Sequence, residues 1–150
     1  MKPEYNIIDV VPHGQPMSLL DSIEDYSDNG LIAMVTITED SLFCESKGVP
    51  AWVGVEYMGQ AVAAYAGVRA RQSNQPVKIG FLVSTRRYES PCSYFSVGTI
   101  LSVSVSQITE NITGLQVFDC KIIGEDIAIQ ANLNVFMPEN IQAFFEETNG

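Results

Sequence analysis

Residues 48–71, GVPAWVGVEYMGQAVAAYAGVRAR, constrain this chain more than any other stretch. No proline follows Pro50 until Pro76, and the segment is dense in Ala, Val and Met. Good helix formers mixed with small residues predict a long helix, and Pro50 suits its first turn, where a missing N–H has no helical partner to lose. A helix apolar on nearly every side belongs inside a core. Its first half carries one carboxylate, Glu56. An acid in such surroundings is costly without a partner or a task, which makes Glu56 the first candidate functional residue. Burial of those first turns would favour the neutral, protonated acid.

The rest of the chain reads as strands around that helix. Residues 1–11 end in the apolar run IIDVV, and the only histidine, His13, then sits in the turn Pro12-His13-Gly14-Gln15-Pro16. Residues 17–21 form a brief connector, Asp28-Asn29-Gly30 a turn, and residues 31–38 a strand rich in β-branched side chains. Ser73-Asn74-Gln75-Pro76 stops the helix, and residues 78–88 predict a strand with Gly80 as a bulge or close approach. Residues 99–109, 115–123 and 127–137 alternate apolar and polar with the period of a strand, separated by turns at 111–114 and 124–126. An acidic tail follows Pro138, with a short helix around 141–147. One apolar helix with strands on both sides of it needs a sheet that wraps around it. The expectation is α+β, a curved antiparallel sheet enclosing a central helix, in one domain over residues 1–150 with the last three strands as a meander.

Charge and cysteine usage exclude several functions. The formal net charge is -10, which argues against broad nucleic-acid or anionic-membrane binding, since both need a positive surface. Five of the 8 Lys and Arg residues, Arg69, Arg71, Lys78, Arg86 and Arg87, fall between 69 and 87, a span without Asp or Glu. That basic island fits either an acidic partner or simple solvation. Cys44, Cys92 and Cys120 have no C-x-x-C spacing and leave an odd thiol, so neither a zinc site nor a disulfide framework is expected. Glu56 and Gln60 interrupt the best apolar run, so no membrane span is expected, and the N-terminus has no cleavable signal pattern. These features point to a reducing, cytoplasmic setting.

Two segments carry a resemblance. Residues 50–60, PAWVGVEYMGQ, resemble the central helix of hot-dog fold 3-hydroxyacyl-[acyl-carrier-protein] dehydratases, and residues 12–21, PHGQPMSLLD, resemble that family's N-terminal signature. The segment GFLVSTRRYESPCSYFSVGTILSVSV is similar to the strand, basic pair and following strand of the same family. Within it the chain looks most like a divergent branch, the dehydratases of aryl-polyene and related fatty-acid-like pathways. One stretch departs from the common pattern: the loop before the helix, residues 43–50, has no histidine. Any histidine-based mechanism in this chain therefore falls to His13.

The resemblance implies dehydration of a 3-hydroxyacyl thioester, held on the phosphopantetheine of an acyl carrier protein, to a trans-2-enoyl thioester, with no other cofactor and no metal. His13 is the candidate base for the C2 proton, because imidazole exchanges protons near neutrality. Glu56 is the candidate acid for the departing C3 hydroxyl. The amides near Ala51 and Trp52, at a helix start with unpaired donors, are the candidates to polarise the thioester carbonyl. Gln60, one turn after Glu56, is the candidate to hold it by a hydrogen bond. Arg86 and Arg87 are candidates to dock the carrier protein, and strand alternation predicts that only one of them faces any given partner. Trp52, Tyr57 and Tyr65 read as core or subunit contacts, and Cys44 as an ordinary thiol. A homodimer or higher assembly is implied, or a heteromer with a related dehydratase. The alternatives are a hot-dog thioesterase, in which Glu56 directs a water at the thioester, and a non-catalytic hot-dog subunit that pairs with an active dehydratase.

Overall fold

The computed structural model describes residues 5–6, 19–74, 81–110 and 115–136. Strands β1 (Ser22–Tyr26) and β2 (Gly30–Thr36) form a hairpin, and a two-residue strand β3 (Val49–Pro50) leads into a 3₁₀ turn (Ala51–Val53) and the helix α1 (Gly54–Gln72). Strands β4 (Phe81–Arg86), β5 (Tyr94–Phe95), β6 (Ile100–Glu110), β7 (Leu115–Gly124) and β8 (Ile127–Phe136) follow. Six of these strands make one sheet in the order β1-β2-β6-β7-β8-β4, antiparallel at every pairing, while β3 and β5 pair separately. The helix packs on β2, β6 and β7. This is the hot-dog fold expected from the sequence: one long helix against a curved antiparallel sheet.

Alternation in the sequence becomes layering in the structure. Leu101, Val103 and Val105 of β6, Phe118, Cys120 and Ile122 of β7, and Ile129, Ala131, Leu133 and Val135 of β8 are buried beneath the helix, while the residues between them face away. The meander β6-β7-β8 forms as expected. Of the two expectations for the segment before the helix, a strand or a hairpin, the hairpin is found; four of the five residues of its edge strand β1, SIEDY, lie outside the core, so its bounds carry no apolar repeat that marks a strand. The expected Gly80 bulge and the tail helix around 141–147 fall outside the described residues.

One expectation needs correction. The helix is not covered on every side within one chain. Tyr57, Met58, Gln60, Ala61, Ala64, Tyr65 and Val68 are buried, but Glu56 and Arg69 are exposed and Gly59, Ala63 and Ala66 only half-buried. These five positions recur every three or four residues and so share one face of the helix. Small and apolar residues there made the helix look enclosed all round, when its sheet covers the opposite side.

Candidate active site

The start of α1 is held mostly by backbone. Gly48, at φ 117, has a conformation that side-chain-bearing residues rarely adopt, and it turns the loop into β3. Val49 then pairs with Phe95 and Pro50 with Tyr94. The amide of Ala51 donates to the carbonyl oxygen of Ser93 at 2.9 Å, and the Tyr88 hydroxyl donates to the carbonyl oxygen of Ala51 at 2.5 Å. Gly54 closes the 3₁₀ turn with its amide on the carbonyls of Ala51 and Trp52. No side chain caps this end of the helix. The expectation that Ala51 offers a free donor is therefore corrected: strand-like pairing with the 93–95 segment consumes its N–H. Among the described residues it is the amide of Trp52 that has no acceptor, and its indole is 60% exposed beside the ring of Phe43, 5.7 Å away.

Glu56 lies one turn further on. It is exposed, with no hydrogen bond or ion pair among the described residues. A carboxylate in the first turn is favoured by the positive end of the helix dipole, but the burial expected for it is absent in the single chain. Gln60 takes a different path. It is 2% exposed, and its Oε1 accepts the amide of Leu19 at 2.7 Å. The bond expected between Gln60 and Glu56 is replaced by one that ties Leu19, near the end of the residue 12–21 signature, to the middle of the helix. A pairing 41 residues apart in sequence has no local signal. Glu56 and the Trp52 amide thus share the open rim of the helix start, whereas Gln60 serves the interior and Ala51 is bound. His13 lies outside the described residues.

A dehydratase family model, described as ApeP-like (ApeP dehydratase), matches residues 5–146. The chain belongs to the ApeP-like dehydratase family. It is thus an enzyme of the hot-dog dehydratase class associated with aryl-polyene pathways. No curated protein matches it by sequence. Among solved structures, a chain of the dehydratase heterocomplex ApeI:P from Xenorhabdus doucetiae superimposes with a TM-score of 0.87 at 21% identity, covering 99% of this chain and 100% of that one. The PaaI protein of the phenylacetic acid degradation operon of E. coli is similar over 75% of this chain and 79% of its own, with a TM-score of 0.57 and 10% identity. A hypothetical thioesterase with coenzyme A from Streptococcus pneumoniae matches over 77% and 86%, with a TM-score of 0.53 and 10% identity. At these identities the structural likenesses establish the hot-dog fold.

Other sites of this ApeP-like dehydratase differ from expectation in instructive ways. Strand β4 ends at Arg86, and Arg87 has a φ of 64. The left-handed residue breaks strand alternation, so the rule that only one arginine faces a partner does not apply. Both are exposed. Tyr57 and Tyr65 are buried as core residues, and Trp52 is not. Tyr57 is 2% exposed and its hydroxyl has no hydrogen-bond partner among the described residues. Burial first, then the Asp21 carboxylate, pushes its phenol well above the ordinary tyrosine range. Tyr88 closes the T-R-R-Y segment, and nothing local in that segment shows where its hydroxyl points. Among the described residues no cluster of His, Cys, Asp and Glu has a metal-holding arrangement, and no helix is long and apolar enough to cross a membrane.

Proposed function

We propose that the chain dehydrates 3-hydroxyacyl thioesters, carried on an acyl carrier protein, to trans-2-enoyl thioesters. His13 takes the C2 proton, Glu56 delivers a proton to the C3 hydroxyl as it leaves as water, and the Trp52 amide hydrogen-bonds the thioester oxygen as negative charge builds on it. The observation that carries this reading is the pairing of an unbound amide with an unpaired carboxylate on one open rim, at the start of a helix that is otherwise packed. An acid that must hold a proton needs cover from water. The cover missing from one chain would come from a second hot-dog subunit laid along the Glu56–Gly59–Ala63–Ala66 face, where a Cβ on Gly59 would meet nothing within 4 Å. That subunit is a second copy or a related dehydratase, and the heterocomplex named for the Xenorhabdus doucetiae structure favours the latter. Arg86 and Arg87, both exposed on an acidic protein, are the proposed contacts for the acidic carrier protein.

Mass spectrometry of 3-hydroxyacyl and 2-enoyl carrier-protein thioesters, with the chain alone and with a related dehydratase, tests this directly. Reversible loss of one water from an intact thioester is expected, and His13→Ala or Glu56→Gln should slow it by about 100-fold or more. Turnover by the assembly that neither variant slows would place the chemistry in the partner, and release of free thiol would indicate a thioesterase.

A further inference from the structure

Gly54 occupies an ordinary helical conformation, φ -55 and ψ -31, where alanine is favoured by about 1 kcal/mol. Conformation therefore does not call for glycine there. Space does. A Cβ built on Gly54 would overlap the Tyr88 hydroxyl and press on Ile122 Cδ1 at 3.0 Å. The missing side chain leaves a slot, and the Tyr88 hydroxyl fills it. From that slot it donates to the carbonyl oxygen of Ala51, and that carbonyl belongs to the same peptide group as the amide of Trp52. A hydrogen bond received at a peptide oxygen draws electron density from its nitrogen and strengthens the N–H as a donor, by about 10–30%.

We propose that Tyr88 is a positioning residue for the dehydration, and that its hydroxyl, seated in the Gly54 slot, aims and polarises the peptide whose Trp52 N–H binds the substrate oxygen. The inference rests on the functional reading above, in which that amide and Glu56 form the site. Ser93 accepts the Ala51 N–H, which lies on the preceding peptide group, at 2.9 Å, so residues 88–95 hold Ala51 at both its N–H and its carbonyl. Burial raises the Tyr88 phenol from 10.0 to about 12, with Cys92 a smaller cause, so the hydroxyl keeps its proton across the working range.

The test compares Tyr88→Phe, Gly54→Ala and 3-fluorotyrosine at position 88, in whichever assembly is active, reading kcat, KM and melting temperature. Tyr88→Phe is expected to lower kcat about tenfold with KM within twofold. The fluorinated phenol, a stronger donor of nearly the same shape, should hold kcat at or above the unmodified value. Gly54→Ala should mimic Tyr88→Phe, and the double variant should lose no more than either single one. A kcat per folded enzyme that stays within twofold in Tyr88→Phe, with only the melting temperature lowered, overturns the proposal and leaves a packing role. Glu56→Gln run alongside separates the two ideas: if it stays active, the reading of the site fails and this proposal with it. If it is inactive while Tyr88→Phe is not, this proposal alone fails.

Discussion

The two ends of α1 are built on opposite plans. At the C-terminal end the Tyr65 hydroxyl donates to the carbonyl oxygen of Asp28 at 2.7 Å and lies 3.1 Å from Gln107 Oε1. There Arg69 pairs with the Asp28 carboxylate at 3.2 Å, and Ser73 Oγ caps the carbonyl of Arg69 at 2.9 Å. Arg69 and Arg71 also complement the negative pole of the helix. At the N-terminal end no side chain caps the helix, an indole stands in solvent, and a carboxylate has no partner among the described residues. One end spends its polar groups on itself; the other keeps an amide and an acid in reserve. The polar groups that tie the helix down and those left open are thereby separated along one helix of 19 residues.

Substitutions in the core at each end probe that separation most strongly. Phe95, whose ring lies 6.1 Å from that of Tyr57, and Phe118, 5.8 Å from Tyr65, are both fully buried. Truncating either to Ala should cost roughly 3–5 kcal/mol in urea denaturation. Only Phe95→Ala should also lower turnover per folded molecule; equal losses of turnover would erase the distinction between the ends.

An alkaline titration sharpens the comparison. Burial raises the Cys120 thiol from 9.0 to about 12, and Tyr88 rises to about 12. Because the folded state holds these protons longer than the unfolded one, their stabilising contribution is complete below pH 9 and is lost as the pH climbs towards 12. Stability should therefore be level through neutrality and fall above about pH 9. Tyr88→Phe at the N-terminal end should remove part of that fall, and a fall of undiminished size would deny Tyr88 its share.

Smaller effects belong to the tied end. Tyr65→Phe should lose about 1 kcal/mol, the net worth of one hydrogen bond, with kcat unchanged. Asp28→Asn should shift stability by no more than about 0.5 kcal/mol, because the pair with Arg69 is solvent-exposed and screened. A drop in turnover in either variant, beyond the loss of folded protein, would show that the two ends are coupled.

Long strands with strict alternation were legible residue by residue, as β6, β7 and β8 show. Strand β1 was not, since an edge strand with few core contacts carries little apolar pattern. The two-residue ladder between β3 and β5 is too short to have a period at all. At the site, Glu56 stood out as the one acid in the first half of an apolar helix. The engagement of Ala51 by Ser93, of Gln60 by Leu19, and of Tyr88 by the Gly54 slot could not stand out, because each joins residues far apart in sequence.

Composition and periodicity alone determined that this protein has one long apolar helix, an acid in its first half and an antiparallel sheet to receive it, because those follow from residue order, local propensity and the spacing of apolar side chains. The tertiary structure decided which face of the helix stays open, which amide remains unbound and which hydroxyl reaches the carbonyl of the same peptide. Small residues pack equally well against a sheet or a second subunit, so their burial is settled only when the strands that cover them are in place.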